Sequence, residues 1–171
     1  MKTAGKECGL DDTPMVQMRP RLSVEQVEKG EELAPKFDEQ GLSACITTDA
    51  KNGEVLMLGY MNREALEKTI QTGEAHYWSR SRQTLWHKGA SSGLVQTVEE
   101  MRIDDDQDAV LLRVRVAGSG ASCHVGYYSC FYRQVPVGAA HRKGQKLVRI
   151  ESTKTFDPQD VYGDAPNPTV L

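Results

Sequence analysis

The chain has 171 residues, with 21 Lys and Arg against 24 Asp and Glu and a formal net charge of −3. That length suits one domain with a real core and short tails, and argues against two independent domains. The slight acidity excludes a global basic field for nucleic acid or an anionic membrane, so any anionic ligand needs a local cluster of cations.

Residues 1–22 carry Pro14, Pro20 and several charges without a sustained period, and read as a mobile N-terminal extension. No apolar stretch marks the N-terminus, and even the longest apolar runs, such as Val55 to Leu58, are far too short to span a bilayer. A soluble, cytoplasmic protein is expected. Four cysteines do not form a secreted disulfide framework here, since Cys8 lies in a polar tail and Cys45 in an apolar run.

One domain is expected over residues 23–151. Ser23-Val24-Glu25-Gln26 matches a capping box, which predicts a helix running toward Leu33 and stopping before Pro35. Leu42 to Thr48 and Glu54 to Tyr60 are strand-like runs around Asn52-Gly53, a pair suited to the positive φ angles of a tight hairpin. Asn62 is placed to cap a helix whose Ala65, Leu66, Thr69 and Ile70 share one face, with Gly73 as its stop. Glu74 to Arg80 reads as a further strand, followed by a polar loop. Leu94 to Asp104 and Asp108 to Val116 are two more strand candidates, and Val135 to Ile150 adds an edge hairpin around Lys143-Gly144. Residues 152–171, with Pro158, Pro166 and Pro168, form a mobile or wrapping C-terminal tail. The fold class expected is α+β, a mostly antiparallel sheet with few helices.

Two clusters carry chemistry. Asp104, Asp105, Asp106 and Asp108, followed by Cys123, His124 and Cys130, place four carboxylates, two thiols and an imidazole within 27 residues. If Ile103 to Val116 is one strand, its alternation puts Asp104, Asp106 and Asp108 on one face and Asp105 on the other. Oxygen ligands favour a hard cation such as Mg²⁺, and thiolates favour Zn²⁺. The calcium-loop pattern does not fit, because Ala109 and Arg115 stand where its Gly and Glu belong. The bland alternatives are a solvated acidic turn and two buried apolar cysteines, and His124 is open to the roles of ligand, general base or structural histidine.

The second cluster is Trp78 to Gly93. Arg80, Arg82, Lys88 and Ser92 with Trp86 supply guanidinium forks, an ammonium, a hydroxyl and a stacking indole, as a nucleotide phosphate and base require. A solvated basic loop anchored by two tryptophans explains the same composition equally well. One short patch in an acidic chain argues against single-stranded nucleic acid.

Several segments recur in an order more specific than any one alone: Gly53 to Asn62, His76 to Arg82, Leu85 to Gly89 with Ser92-Gly93, the acidic run, and Cys123-His124-x-Gly126-x-x-Ser129-Cys130-Phe131-Tyr132-Arg133. Together they resemble the phosphoribosyl-AMP cyclohydrolases of histidine biosynthesis. The resemblance spans roughly residues 37–133 and implies a monofunctional hydrolase that opens the adenine ring of 1-(5-phosphoribosyl)-AMP between N1 and C6. It further implies an intertwined α+β homodimer with zinc ligands from both subunits. Carried over, Asp104, Asp106 and Asp108 bind Mg²⁺, while Cys123 and Cys130 bind Zn²⁺. The family's acidic motif reads Asp-Cys-Asp-x-Asp, and this chain has Asp105 at the cysteine, so Asp105 is expected as the third zinc ligand, the rival expectations being that His124 or Cys45 completes the coordination or that zinc is lost. His124 is the expected proton-transfer residue, and Arg80, Arg82, Trp86, Lys88 and Ser92 the substrate-binding set. The competing expectations are a nucleotide-binding homologue with impaired catalysis, marked by Asp105, and a structural zinc dimer.

Overall fold

The computed structural model describes residues 15–169, and Cys8, with the rest of residues 1–14, lies outside them. Helix α1 spans Val24–Lys29 and begins where Ser23 Oγ accepts from Gln26 N at 3.1 Å. Gln26 Oε1 reaches back to Leu22 N at 2.8 Å, one residue before the expected partner. The helix ends at Gly30 and does not run on toward Leu33, because Leu33 instead accepts from Arg19 N and Ala34 donates to Gln107. Residues 15–22 thus lie alongside the segment that follows α1.

Strands β1 (Ser43–Asp49) and β2 (Val55–Met61) pair antiparallel as expected. The turn between them is longer than a two-residue hairpin, and only Gly53 takes a positive φ, at 76°. Asp49 Oδ1 accepts from Lys51 N at 2.6 Å and Asn52 Oδ1 from Glu54 N at 2.9 Å, so side chains satisfy the amides of the wider loop. Helix α2 (Arg63–Thr72) starts at Asn62, whose side chain accepts from Ala65 N, and ends at Gly73 with φ 68°. That cap is worth about 1 kcal/mol. Ala65, Leu66 and Thr69 are buried, whereas Ile70 stays 39% exposed at the edge of the apolar face.

Beyond α2 come β3 (His76–Ser79) and a strand absent from the expected order, β4 (Thr84–His87), paired with it antiparallel. The flanking charges of Arg80 and Arg82 hid the short Leu85-Trp86 core of that strand, which packs against Tyr77 at a ring separation of 5.7 Å. Strands β5 (Gln96–Ile103) and β6 (Ala109–Val116) follow. The main sheet runs β2-β1-β6-β5, antiparallel except where β1 and β6 pair in parallel, Ala44 opposite Ala109. A late hairpin forms around a loop with Gly144 at φ 76°, but its first strand β7 (Arg133–Gln134) starts before Val135, and with β8 (Val148–Arg149) it makes a two-stranded sheet of its own and not an edge of the main sheet. Helix α3 (Pro158–Tyr162) lies within the C-terminal segment. Among the described residues the fold is therefore α+β with three short α-helices and one turn of 3-10 helix at Gly138–Ala140.

One face of the main sheet carries Cys45, Met57, Val110, Leu112 and Val114 into a core shared with Leu66 and Tyr77. The other face leaves an apolar row across three strands, Leu58 at 50% and Ile46 at 40% exposure, with Leu111 beside them in register. On the inner face, Gly59 admits the Tyr77 ring, since a Cβ there would lie 2.6 Å from Tyr77 Cδ1. Tyr77 cannot yield easily: it is wholly buried, with its hydroxyl 2.7 Å from Thr47 Oγ1 and donating to Gln96 Oε1 at 2.8 Å. Gly59→Ala is expected to lower stability by about 1–3 kcal/mol. Denaturant unfolding checks this, and an unchanged midpoint would contradict the packing described.

Candidate active site

The acidic run is a turn and not part of a strand, which corrects the expectation of alternating faces. Asp104 Oδ1 accepts from Asp108 N at 2.9 Å and Ala109 N at 3.0 Å, closing the turn, and Gln107 takes φ 56°. Gln107 is buried and acts as the plug: its amide accepts from Ala34 N and donates to Val27 O and Glu32 O. With Gln107 pointing inward, carboxylate oxygens of Asp104, Asp106 and Asp108 gather within 4.8 Å of one another. Asp105 is exposed and stands outside this cluster.

A cation already tests the cluster. Lys36 Nζ lies 3.2 Å from Asp108 Oδ2 and 3.7 Å from Asp106 Oδ2, and these carboxylates hold its ammonium above the ordinary lysine range. The oxygen-only donor set fits a hard divalent ion.

Cys123 and His124 sit in a tight loop in which Cys123 N donates to Tyr127 O and Gly126 N to Cys123 O. A buried polar chain steadies its start, from Tyr77 through Gln96, whose Nε2 donates to Ser122 Oγ at 3.2 Å. Cys130 is fixed by its N–H to Leu56 O at 2.8 Å, at the start of β2. The two thiols are neighbours that act on each other. That interaction draws the Cys123 thiol down to about 6 and pushes the Cys130 thiol well above the ordinary range. Two adjacent thiols, one of them acidified, are the donor chemistry a soft metal takes.

Cys45 is not a third sulfur ligand of that kind. It is wholly buried in the core, and burial pushes its thiol up to about 12. Asp105 is also out of reach within one chain. Cys130 is tied to Leu56, while the acidic turn emerges beyond Ala44 and its partner Tyr60, at the opposite end of β2. Four strand residues at about 3.3 Å each separate these rows by roughly 13 Å. His124 Nε2 is buried without a hydrogen-bond partner, so the loop presents an unsatisfied nitrogen beside the thiols.

Between the thiols and the β3–β4 hairpin lies a cavity of about 1070 Å³. Arg80, Arg82, Trp86, Lys88, His124 and Cys130 all line it. Arg80 stacks on Tyr60 with Cζ 3.9 Å from the ring centroid, while Arg82 Cζ and Lys88 Nζ stand 5.6 Å and 5.5 Å from that of Trp86. Lys88 is only 4% exposed, and burial lowers its basicity while the nearby cysteines oppose the shift. Burial first, and Lys88 second, push His124 below the ordinary histidine range, leaving it neutral near pH 7. Ser92 does not line the cavity; its hydroxyl accepts from Leu94 N at 3.4 Å, and Ser91 faces inward instead. Sequence reasoning missed Tyr60, Ser122 and the C-terminal residues from Pro158 to Thr169 that complete the wall. The Arg80–Tyr60 contact had no local signal, because it joins β2 to the hairpin turn.

The family model described as phosphoribosyl-AMP cyclohydrolase matches residues 57–132. A protein of that name from Rhodopseudomonas palustris strain HaA2 is 56% identical over 142 residues, covering 82% of this chain and 93% of its own. The chain belongs to the phosphoribosyl-AMP cyclohydrolase family. The namesake from R. palustris strain BisB5 is 52% identical over 140 residues, covering 82% of this chain and 92% of its own. That from Rhizobium etli strain CIAT 652 is 49% identical over 146 residues, covering 85% and 95%. The stretch matched by the cyclohydrolase model contains the β3–β4 hairpin, the acidic turn and both loop thiols; Lys36 and the C-terminal wall lie outside it.

Proposed function

We propose that this chain is a hydrolase of histidine biosynthesis that opens the adenine ring of 1-(5-phosphoribosyl)-AMP. Besides the family, the reading rests on one observation: cations, an indole, a neutral histidine and a thiol converge on a single cavity large enough for a nucleotide. Arg80 and Arg82 hold phosphate, Lys88 and the inward-facing Ser91 take phosphate or ribose oxygens in the role expected of Ser92, and Trp86 stacks on the purine. Substitution at N1 makes C6 electrophilic. His124 takes a proton from the attacking water as its oxygen bonds to C6; the N1–C6 bond then breaks, C6 becomes an amide carbonyl, and N1 receives the proton.

Cys123, Cys130 and Asp105 are the proposed zinc ligands. Zinc, when bound there, supplies a Lewis acid that lowers the pKa of water toward ~7. Asp104, Asp106 and Asp108 are the proposed Mg²⁺ ligands. Because Asp105 cannot meet the thiols of its own chain, Asp105 of the partner subunit completes each centre, and the same turn brings the magnesium carboxylates beside the substrate phosphates. The apolar row of Leu58, Ile46 and Leu111 supports such a homodimer, since pairing covers it. Free thiols suit a reducing cytoplasm, and no described helix is long and apolar enough to cross a membrane.

Purified protein supplied with Zn²⁺ and Mg²⁺ is expected to open phosphoribosyl-AMP, followed by the change in ultraviolet absorbance as the purine is lost. A strong chelator should abolish turnover, and Zn²⁺ should restore it. Full turnover after verified zinc removal would sink the metal assignment. Tight substrate binding with no turnover under any metal would favour the catalytically impaired homologue.

A further inference from the structure

The C-terminal segment is tied to the loop that carries Cys123 and His124. The Glu151 carboxylate accepts from Tyr128 N at 2.9 Å and Ser129 N at 3.1 Å. Gly126 O accepts from Thr155 twice, from the amide at 2.7 Å and the hydroxyl at 2.8 Å. Gly126 has φ 99°, and a Cβ there would lie 2.4 Å from Phe156 O, so loop and segment are fitted to each other. Farther along, Asp157 Oδ1 accepts from Gln159 N at 3.0 Å, Phe156 meets Tyr162 edge-on at 6.1 Å, and Ala165 N donates to Tyr162 O at 3.0 Å, which folds the chain back.

The side of this segment that meets the cavity is selected by charge. Gln159, Tyr162 and Asn167 line it, whereas Asp157, Asp160 and Asp164 do not. Neutral amides and a phenol can hydrogen-bond a purine edge or ribose hydroxyls, and carboxylates in their place would repel phosphate.

We propose that residues 152–169 form a strap that completes the substrate site, with Gln159 and Asn167 positioning the nucleotide. The inference rests on the proposed function, and its fixed points are the two Thr155 bonds and the Glu151 bridge. A strap of this kind contributes binding that orients substrate against the loop, so its loss shows chiefly in KM.

The test compares wild type, a chain ending at Glu151, and the double variant Gln159→Ala/Asn167→Ala, with kinetics on phosphoribosyl-AMP and acrylamide quenching of tryptophan fluorescence. The chain has two tryptophans, Trp78 and Trp86, and both line the cavity, so quenching reports the wall directly and without turnover. The shortened chain should show KM raised about tenfold or more, kcat changed less than about threefold, and quenching raised about twofold; the folded double variant should raise KM about fivefold. Unchanged KM in the folded double variant overturns the positioning roles, and unchanged quenching in the folded shortened chain overturns the strap. If the shortened chain does not fold, the double variant decides alone. An inactive wild type whose quenching still rises on shortening would defeat the ring-opening reading and leave the strap standing.

Discussion

Cys123→Ser should lower kcat for ring opening by at least about 10³-fold, roughly 4 kcal/mol of transition-state stabilisation, while leaving the fold intact. The substitution is nearly isosteric at a side chain only 3% exposed, so far-ultraviolet circular dichroism should not change. What it removes is the more acidic member of the thiol pair. A serine hydroxyl neither ionises near neutral pH nor binds a soft metal comparably. Zinc content measured on the same sample should fall with activity. Retention of activity within tenfold of wild type, at full occupancy of folded protein, would show that the thiol pair is structural.

Mixing two inactive variants should restore activity. Asp105→Ala removes a carboxylate from the turn, and Cys123→Ser a thiol from the loop, and one chain keeps these at opposite ends of β2. If each centre takes Asp105 from one subunit and its thiols from the other, a mixed dimer holds one doubly damaged centre and one intact centre. Unfolding and refolding an equimolar mixture, with random pairing, should return about a quarter of wild-type activity. Refolding each variant alone supplies the control. No recovery, with mixed dimers demonstrated by mass, would mean that Asp105 is not the shared ligand and that His124, with its unpartnered Nε2, is the better candidate.

Much of this architecture was legible in the residues. Asn62 and Gly73 bracket α2 because cap chemistry is local, and the β1–β2 pair follows from two apolar runs about a glycine. For the acidic run the residues allow two readings, one strand from Ile103 to Val116 or two strands parted by a turn, and the second holds. The run's neighbours have the Val and Leu content of a strand, and nothing local reveals that Gln107 turns inward to serve Ala34, Val27 and Glu32, which lie far away in sequence. Strand β4 escaped notice because it is four residues long and flanked by charge. At the site, residue type nominated Arg80, Arg82, Trp86 and Lys88 in one cluster and His124 and Cys130 in another, and only the family resemblance joined the two; all six line one cavity. Ser91 in place of Ser92 is a matter of loop rotation by one residue. Lys36, lodged against Asp106 and Asp108, and the C-terminal wall depend on tertiary packing between distant segments, which no spacing rule encodes.

The parallel pairing of β1 with β6 has a kinetic consequence. Helix α2 and the β5–β6 hairpin form from neighbours in the chain, but docking β1 on β6 joins Ser43 to Asp108 across 65 residues. Closing so long a loop is entropically slow, so this docking is expected to be the late, rate-limiting event of folding. Lys36 meets the aspartates only when it is complete. A refolding chain should therefore acquire its helical signal before its acidic cluster, and a chain arrested at that stage would display an unpaired β6 edge, the surface most prone to join a second molecule in the wrong register.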